Sequence, residues 1–227
     1  MKSRVLIAID GPAGSGKSTV ARRVAKILGI LYLDTGAMYR AVTLKAIQDN
    51  IPFDDQERLT VLANQVDLKF TQMPDGTYHL FMNGENINEE IRSFAVTNNV
   101  SVVSSVPGVR EALVQRQREI GAKSGVVMDG RDIGTVVLPN ADLKIFLTAS
   151  LEKRAQRRWL ELKAKGIKVS KEKIKEDLKE RDDFDSNREI SPLRPASDSI
   201  IIDTTGISIE QVTEKIVNLS KQKLELS

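Results

Sequence analysis

The chain of 227 residues contains no cysteine. A disulfide framework, a thiolate nucleophile and any cysteine-ligated metal are therefore excluded, and a reducing cytoplasm is the expected setting. Histidine is nearly absent too: the single one, His79, lies far from any motif, so histidine-based general-base chemistry is not expected. No apolar run approaches the roughly 20 residues of a membrane span. The opening residues lead straight into a strand-like segment, and no secretory leader is expected. Charge of one sign is also lacking. With 34 basic against 31 acidic residues the formal net charge is +3, which argues against a nucleic-acid-coating protein. It leaves room for basic residues gathered in a cleft for small anions. Internal repeats and low-complexity segments are missing, and the length fits one domain with insertions.

What is present begins at residue 5. Val5-Leu6-Ile7-Ala8-Ile9 is a short unbroken apolar run, the pattern of a strand buried on both faces of a parallel sheet. Then come Gly11, Pro12, Ala13, Gly14, Ser15, Gly16, Lys17 and Ser18, spaced G-x-x-x-x-G-K-S, followed by Thr19. After them Val20, Val24, Ile27 and Leu28 recur on one helical face, with Gly29 placed to end the helix. Strand, glycine loop and helix form the context that this phosphate-binding P-loop requires. Its glycines let backbone N–H groups turn inward around a phosphate, and the helix N-terminus adds partial positive charge. Lys17 is expected to reach the β/γ-phosphates and the Ser18 hydroxyl to ligate Mg²⁺. A dinucleotide fingerprint is excluded by spacing, because Thr19 stands where its third small residue belongs.

Strand-like and helix-like segments alternate along the chain, as in α/β folds with a parallel sheet. Core strands are expected at Val5–Ile9, Ile30–Leu33, Val126–Asp129, Leu143–Leu147 and Ile200–Ile202, and a final helix with Ile209, Val212, Ile216 and Leu219 on one face. Two regions break the alternation. From about 63 to 90, Val66–Phe70 and Tyr78–Met82 flank turns at Pro74-Asp75-Gly76 and Asn83-Gly84, predicting a small antiparallel hairpin or meander. It is open whether this insertion decorates the surface or grips substrate. From 151 to 190 the chain is densely charged. Leu151, Ala155, Trp159 and Leu162 line one helical face there, while Arg154, Arg157 and Arg158 project elsewhere. A solvated face and an arginine-bearing lid over a phosphate site both fit.

A P-loop alone names only a bound nucleotide phosphate. The chain has no N-K-x-D guanine signature and is too short for an ABC or helicase core. Arginines instead stand just beyond strand ends, where α/β sheets bind ligands: Arg40 closes Asp34–Arg40, and Arg131 follows Asp129-Gly130. Downstream, the apolar stripe of Ile174 and Leu178 continues through Arg181, Asp185 and Arg188. Charged residues that prolong an apolar face are expected to point at the protein body. Several arginines facing a P-loop imply two polyanions held end to end. Transfer between phosphates needs in-line positioning and surrounding cations, and an acceptor phosphate is already ionised, so no general base is required.

These residues resemble the bacterial-type cytidylate kinases, of the nucleoside monophosphate kinase group. The matching pieces are Asp10–Thr19, Asp34–Arg40, Val109–Leu113, Asp129–Val137, Glu180–Asp183 and Asn187-Arg188. They run in family order from about residue 3 to 222, and the region 63–90 resembles the insertion of the longer bacterial enzymes. The resemblance implies a P-loop NTPase fold: a five-stranded parallel sheet flanked by helices, with a small antiparallel β insertion and a helical lid. It further implies one kinase domain over 1–227, with core segments of about 1–62, 91–150 and 190–227, insertion 63–90 and lid 151–189.

The implied reaction is transfer of the ATP γ-phosphate to CMP or dCMP with Mg²⁺, in a cytoplasmic enzyme, expected to be a monomer without nucleic-acid or membrane partners. By resemblance, Arg40, Arg131 and Arg188 hold the CMP phosphate, Lys17, Arg131 and Arg188 act in catalysis, and Tyr39 belongs to the CMP site. Thr35, Arg110 and Asp132 look like the residues that read cytosine; Ser101, Arg181 and Asp185 look like sugar contacts. Arg154, Arg157 and Arg158 resemble lid arginines that close over ATP. Threonine stands at 35 where some relatives carry serine, and the hydroxyl remains. Asp129 has two readings, a partner of Mg²⁺ through water or a cap for the loop that positions Arg131. The alternatives to a cytidylate kinase are another kinase of the group, acting on UMP/CMP or AMP, and a nucleotide-dependent switch.

Overall fold

The computed structural model describes residues 5–74 and 77–225; Asp75 and Gly76 of the expected first turn lie outside the described residues. In chain order the elements begin with β1 (Leu6–Asp10), α1 (Lys17–Leu28), β2 (Leu31–Asp34), α2 (Thr35–Gln48) and α3 (Gln56–Gln65). There follow β3 (Leu68–Gln72), β4 (Tyr78–Met82), β5 (Glu85–Asn86), α4 (Phe94–Val103) and α5 (Pro107–Lys123). Last come β6 (Val126–Gly130), β7 (Leu143–Thr148), α6 (Leu151–Ala164), α7 (Lys171–Asn187), β8 (Ile200–Asp203) and α8 (Ile209–Glu225). The chain divides into two compact units, Met1–Tyr32 with Ser124–Ser227, and Leu33–Lys123. Among the described residues no helix is long and apolar enough to cross a membrane.

The first unit is built on a five-stranded sheet of order β2-β6-β1-β7-β8. β1 pairs parallel with β6 and β7, and β7 with β8. The five apolar runs seen in the sequence are these strands, each shifted or extended by about one residue. Ile7, Ala8 and Ile9 are wholly buried, as are Val126, Val127 and Met128 of β6. A strand covered on both faces has no alternation to show, which is why it reads as an unbroken run. The flanking helices bury narrower faces than periodicity suggested. On α1 the buried apolar set is Val20, Ala21, Val24 and Ala25, whereas Ile27 is exposed. On α8, Val212, Ile216 and Val217 are buried, while Ile209, at the helix start, is exposed. Small alanines fill the close helix–sheet contact on α1, so the larger Ile27 falls outside it.

The helical hairpin α6–α7 also belongs to this unit. Ala155, Ile174 and Leu178 form its buried centre, with Leu151, Trp159 and Leu162 packed on it and Ala13 of the glycine loop against it. The expected apolar face of α6 is therefore present.

In the second unit, β3, β4 and β5 form an antiparallel sheet, with Leu68 opposite Met82 and Gln72 opposite Tyr78. The alternation of residues 66–82 is thus a meander with Leu80 and Met82 buried. The helix α2 is buried on almost every face, through Ala37, Met38, Ala41, Val42 and Ala46. A helix covered all round carries no amphipathic stripe. Asp34 starts it, its carboxylate accepting from the Ala37 N–H at 2.9 Å.

Candidate functional site

Three glycines shape the loop after β1: Gly11, Gly14 and Gly16 all have positive φ, and Gly16 stands at the N-cap of α1 in the left-handed region. No side chain caps α1 and no acidic residue occupies its first turn. Helices α2, α3, α4, α6 and α7 each have a side-chain cap, from Asp34, Asp55, Ser93, Ser150 and Ser170. The first N–H groups of a helix have no intrahelical acceptor, so α1 directs uncapped donors and its positive dipole end into the loop.

Lys17 is buried, its ammonium donating to the Pro12 carbonyl at 2.7 Å and to Ser15 Oγ at 3.5 Å. Burial pushes its pKa from 10.5 down to about 7; Arg131 and Arg181 press the same way, against the pull of Asp129 and Asp10. A polyanion in this loop would favour the charged ammonium.

The Ser18 hydroxyl donates to Asp129 Oδ2 at 2.7 Å, and Tyr32 OH donates to Asp129 Oδ1 at 2.9 Å. This hydroxyl–carboxylate pair offers hard oxygen donors of the kind Mg²⁺ takes. Among the described residues no group of three or more His, Cys, Asp or Glu could hold a metal ion.

Past β6, Arg131 Nε donates to Asp185 Oδ2 at 2.8 Å, and Arg188 lies 3.8 Å from Asp132. Burial alone would raise the pKa of Asp185; Arg131, Arg181 and Arg188 together hold it below the usual carboxylate value. The charged extension of the α7 stripe does point inward: Asp185 is buried, and the Arg188 side chain is only 5% exposed. Arg188 follows the end of α7 and is pinned by its Nε donating to the Ser191 carbonyl at 2.6 Å.

Two of the three arginines on α6 reach the glycine loop. Arg154 donates to the Ala13 carbonyl at 3.0 Å, to the Ala149 carbonyl at 3.0 Å, and pairs with Asp182 at 2.6 Å. Arg157 donates to Thr204 at two atoms and to the Ser15 carbonyl at 3.4 Å. Arg158 instead pairs with Glu161 of its own helix at 2.8 Å, a half-exposed contact worth little. Arg154 therefore does not project from the hairpin but is buried against the loop.

In the second unit Thr35 is buried as the first residue of α2. One turn on, Tyr39 lies under the Arg110 guanidinium, 5.4 Å from its ring centre. Arg110 is buried and donates to the Ser104 carbonyl at 3.1 Å; Ser104 Oγ in turn donates to the carbonyl of Ser101 on α4. Arg40 donates to Thr97 Oγ1 at 3.1 Å and to the Ile91 carbonyl at 3.4 Å. The unit thus gathers Tyr39, Arg110 and Ser101, while Arg40 is held by the start of α4 and the turn before it.

Sequence reasoning overlooked three participants. Tyr32 holds Asp129, Asp182 holds Arg154, and Asp10 accepts from the Ile133 and Gly134 N–H groups at 2.8 and 2.7 Å. Asp10 and Asp182 carried a signal only as members of the matching pieces Asp10–Thr19 and Glu180–Asp183. Burial raises the pKa of Asp10 from 3.8 to about 6, against the opposing effect of those two N–H bonds.

A parallel sheet with the phosphate loop at its central strand, and arginines packed against that loop, defines a P-loop kinase. A family model described as cytidylate kinase matches residues 7–222. The chain is 53% identical over 212 residues to the cytidylate kinase of Caldanaerobacter subterraneus subsp. tengcongensis, covering 93% of this chain and 92% of that one. It is 49% identical over 225 residues to the cytidylate kinase of Listeria innocua, covering 99% and 100%. The chain belongs to the cytidylate kinase family. Among solved structures, a shikimate kinase from Bacteroides thetaiotaomicron matches in fold alone, with a TM-score of 0.50 at 11% identity over 96% of this chain and 99% of that one.

Proposed function

We propose that the chain is an ATP-dependent kinase that phosphorylates CMP and dCMP, giving CDP and dCDP with ADP. The observation that carries this reading is the gathering of Arg131, Arg181 and Arg188 around Asp185, with Arg131 and Arg181 also acting on Lys17. So many cations around a phosphate loop suit two polyanionic substrates, and membership of the family supplies the acceptor. Residues Gly11 to Thr19 bind the triphosphate through backbone N–H groups, and Lys17 follows charge onto the transferring phosphoryl. Arg131 and Arg188 hold the acceptor phosphate and screen the equatorial oxygens, suited to this by their bidentate geometry. An oxygen of the CMP phosphate attacks the γ-phosphorus in line, the bond to the β-phosphate bridging oxygen breaks, and ADP leaves with that electron pair. The nucleophile is already ionised, so the lack of a histidine base costs nothing.

A bound Mg²⁺ would supply positive charge to offset that of the triphosphate; Ser18 would hold it, with Asp129 behind the Ser18 hydroxyl. The Ser18 and Tyr32 contacts favour this role for Asp129 over that of a loop cap. Thr35, Arg110 and Asp132 read the base. A carboxylate opposite the cytosine amine leaves the O4 of uracil facing an acceptor. Arg181, Asp185 and Ser101 take the sugar, Tyr39 and Arg40 complete the CMP site, and Arg154, Arg157 and Arg158 serve the ATP side. We read 1–227 as one kinase domain, with insertion 63–90 and lid 151–189 on a core of about 1–62, 91–150 and 190–227. The enzyme acts as a cytoplasmic monomer without nucleic-acid partners.

ADP release measured with CMP, dCMP, UMP, AMP and no acceptor tests the reading. Turnover with UMP or AMP equal to that with CMP removes the cytosine assignment. Acceptor-independent release would instead favour a nucleotide-dependent switch.

A further inference from the structure

Thr204, the residue just past the end of β8, is buried, and its backbone N–H donates to the Thr148 carbonyl at the end of β7 at 2.8 Å. Its neighbour Thr205 fastens the same joint, accepting from the Ser150 N–H at 2.9 Å and donating to Asp203 at 2.6 Å. The Thr204 hydroxyl is therefore held in place, and it faces the phosphate loop. It accepts from Arg157 Nη1 at 3.0 Å and shares its proton between the Ser15 carbonyl at 3.1 Å and the Thr148 carbonyl at 3.0 Å. Because Thr148 already takes the Thr204 N–H, Ser15 gains more from that proton.

Ser15 stands where the loop passes into α1. One residue on, the Gly16 carbonyl accepts from the Val20 N–H at 3.1 Å and joins the helical ladder. In a trans peptide the carbonyl and the following N–H point in opposite directions, and no peptide bond among the described residues is cis. A Ser15 carbonyl turned toward Thr204 thus turns the Gly16 N–H away from it. Arg157 Nη1 adds a longer bond to the same carbonyl, at 3.4 Å. Glycine with a φ of 95° has a wide choice of backbone angles, so local sterics do little to fix this peptide plane. The contacts from β8 and α6 fix it instead.

We propose that Thr204 is a positioning residue of the phosphate loop: its hydroxyl holds the Ser15 carbonyl toward β8 and so presents the Gly16 N–H to the triphosphate. The inference rests on the reading of Gly11 to Thr19 as the triphosphate site. A donor set in place before the ligand arrives needs no reordering on binding, which is where preorganisation gains affinity. Thr204 acts through a peptide plane 189 residues away in sequence, and its own side chain does not touch the nucleotide.

The test is equilibrium binding of ATP and of inorganic tripolyphosphate, which has neither base nor sugar, to wild type, Thr204→Val and Thr204→Ser. Thr204→Val keeps the branched shape, removes the hydroxyl and leaves Arg157 its 2.6 Å bond to the Thr204 carbonyl. It is expected to weaken both ligands by the same factor, roughly three- to tenfold, the size of one neutral hydrogen bond. Thr204→Ser restores the hydroxyl and should bring both affinities close to wild type. Unchanged affinities in Thr204→Val overturn the proposal, as does a serine variant as weak as the valine one. A loss for ATP with none for tripolyphosphate also overturns it, by placing Thr204 against the base. If the wild type binds neither ligand, the phosphate-loop reading fails and this inference falls with it. Should Thr204→Val fold poorly, amide exchange at Gly16 in the wild type decides. Protection gained on adding tripolyphosphate supports the proposal, and unchanged exchange refutes it.

Discussion

Replacing Gly11 by alanine tests how tightly the phosphate loop is fastened to the sheet. The Cβ of an alanine at this position would lie 2.0 Å from the backbone carbonyl oxygen of Leu147, 3.0 Å from its carbon and 3.3 Å from Ser15 Oγ. Carbon and oxygen in contact need more than 3 Å, so about 1 Å must open between two backbone segments. Neither yields easily. β1 is hydrogen-bonded on both sides, and Leu147 sits in β7 opposite Ile202 of β8. Overpacking of this kind costs about 1–3 kcal/mol. The Gly11 φ of 146° adds roughly 1–3 kcal/mol for a residue with a side chain. A total of about 2–6 kcal/mol stands against a typical domain stability of about 5–15 kcal/mol. At roughly 2–4 °C per kcal/mol for a chain of this size, the melting temperature should fall by roughly 4–24 °C. The control is Gly29→Ala, at φ 65° with nothing within 4 Å of the added Cβ. It meets only the left-handed backbone penalty of about 1–2 kcal/mol. Calorimetry on the two variants beside wild type separates steric from conformational cost. Equal melting temperatures for the two variants would refute the reasoning.

Other expectations are simpler to state. Lys17→Ala should lower kcat/KM by about 10²–10³ or more through lost transition-state charge stabilisation, measured by coupled ADP release, and a variant within tenfold of wild type would remove Lys17 from the mechanism. Asp10, with its pKa raised from 3.8 to about 6, binds its proton more tightly folded than unfolded, so its stabilising contribution is full below pH 3.8 and is lost as pH rises through about 6. Urea melts of wild type and Asp10→Asn should therefore show wild type losing ground by up to about 3 kcal/mol across that window, and a pH-independent difference contradicts the assignment. Arg154→Met and Asp182→Asn each break a buried pair and should each cost about 3 kcal/mol, whereas the double variant should cost less than their sum. Additive losses would mean that the 2.6 Å contact carries no coupling.

The sheet was legible because burial on both faces writes itself as apolar runs, and all five were found within a residue or so of their bounds. The meander at 66–82 was legible by its alternation, because one face is covered and the other wet. The helix faces were less so. Periodicity counts Ile27 and Ile209 as core, but alanines at 21 and 25 make the contact on α1, and the start of α8 overhangs it. Of the site, the loop could be read from local sequence alone, since glycine spacing, lysine and helix onset are contiguous. Asp10, Tyr32 and Asp182 could not, because each acts on a residue brought near only by the fold. Arg154 was left open between a solvated face and a lid over a phosphate site, and the carbonyl of Ala13 and the carboxylate of Asp182, both brought near by the fold, give it a buried polar berth.

On the proposed reading, the uncapped start of α1 couples the folding equilibrium to the nucleotide pool. Every other helix with a described cap draws that stabilisation from its own chain; α1 would draw it from the bound triphosphate. A ligand that binds only the folded state adds RT ln(1 + [L]/Kd), about 2.7 kcal/mol at a hundredfold excess over Kd. On that reading the chain's resistance to unfolding and proteolysis rises and falls with ATP, and a shortage of triphosphate exposes it.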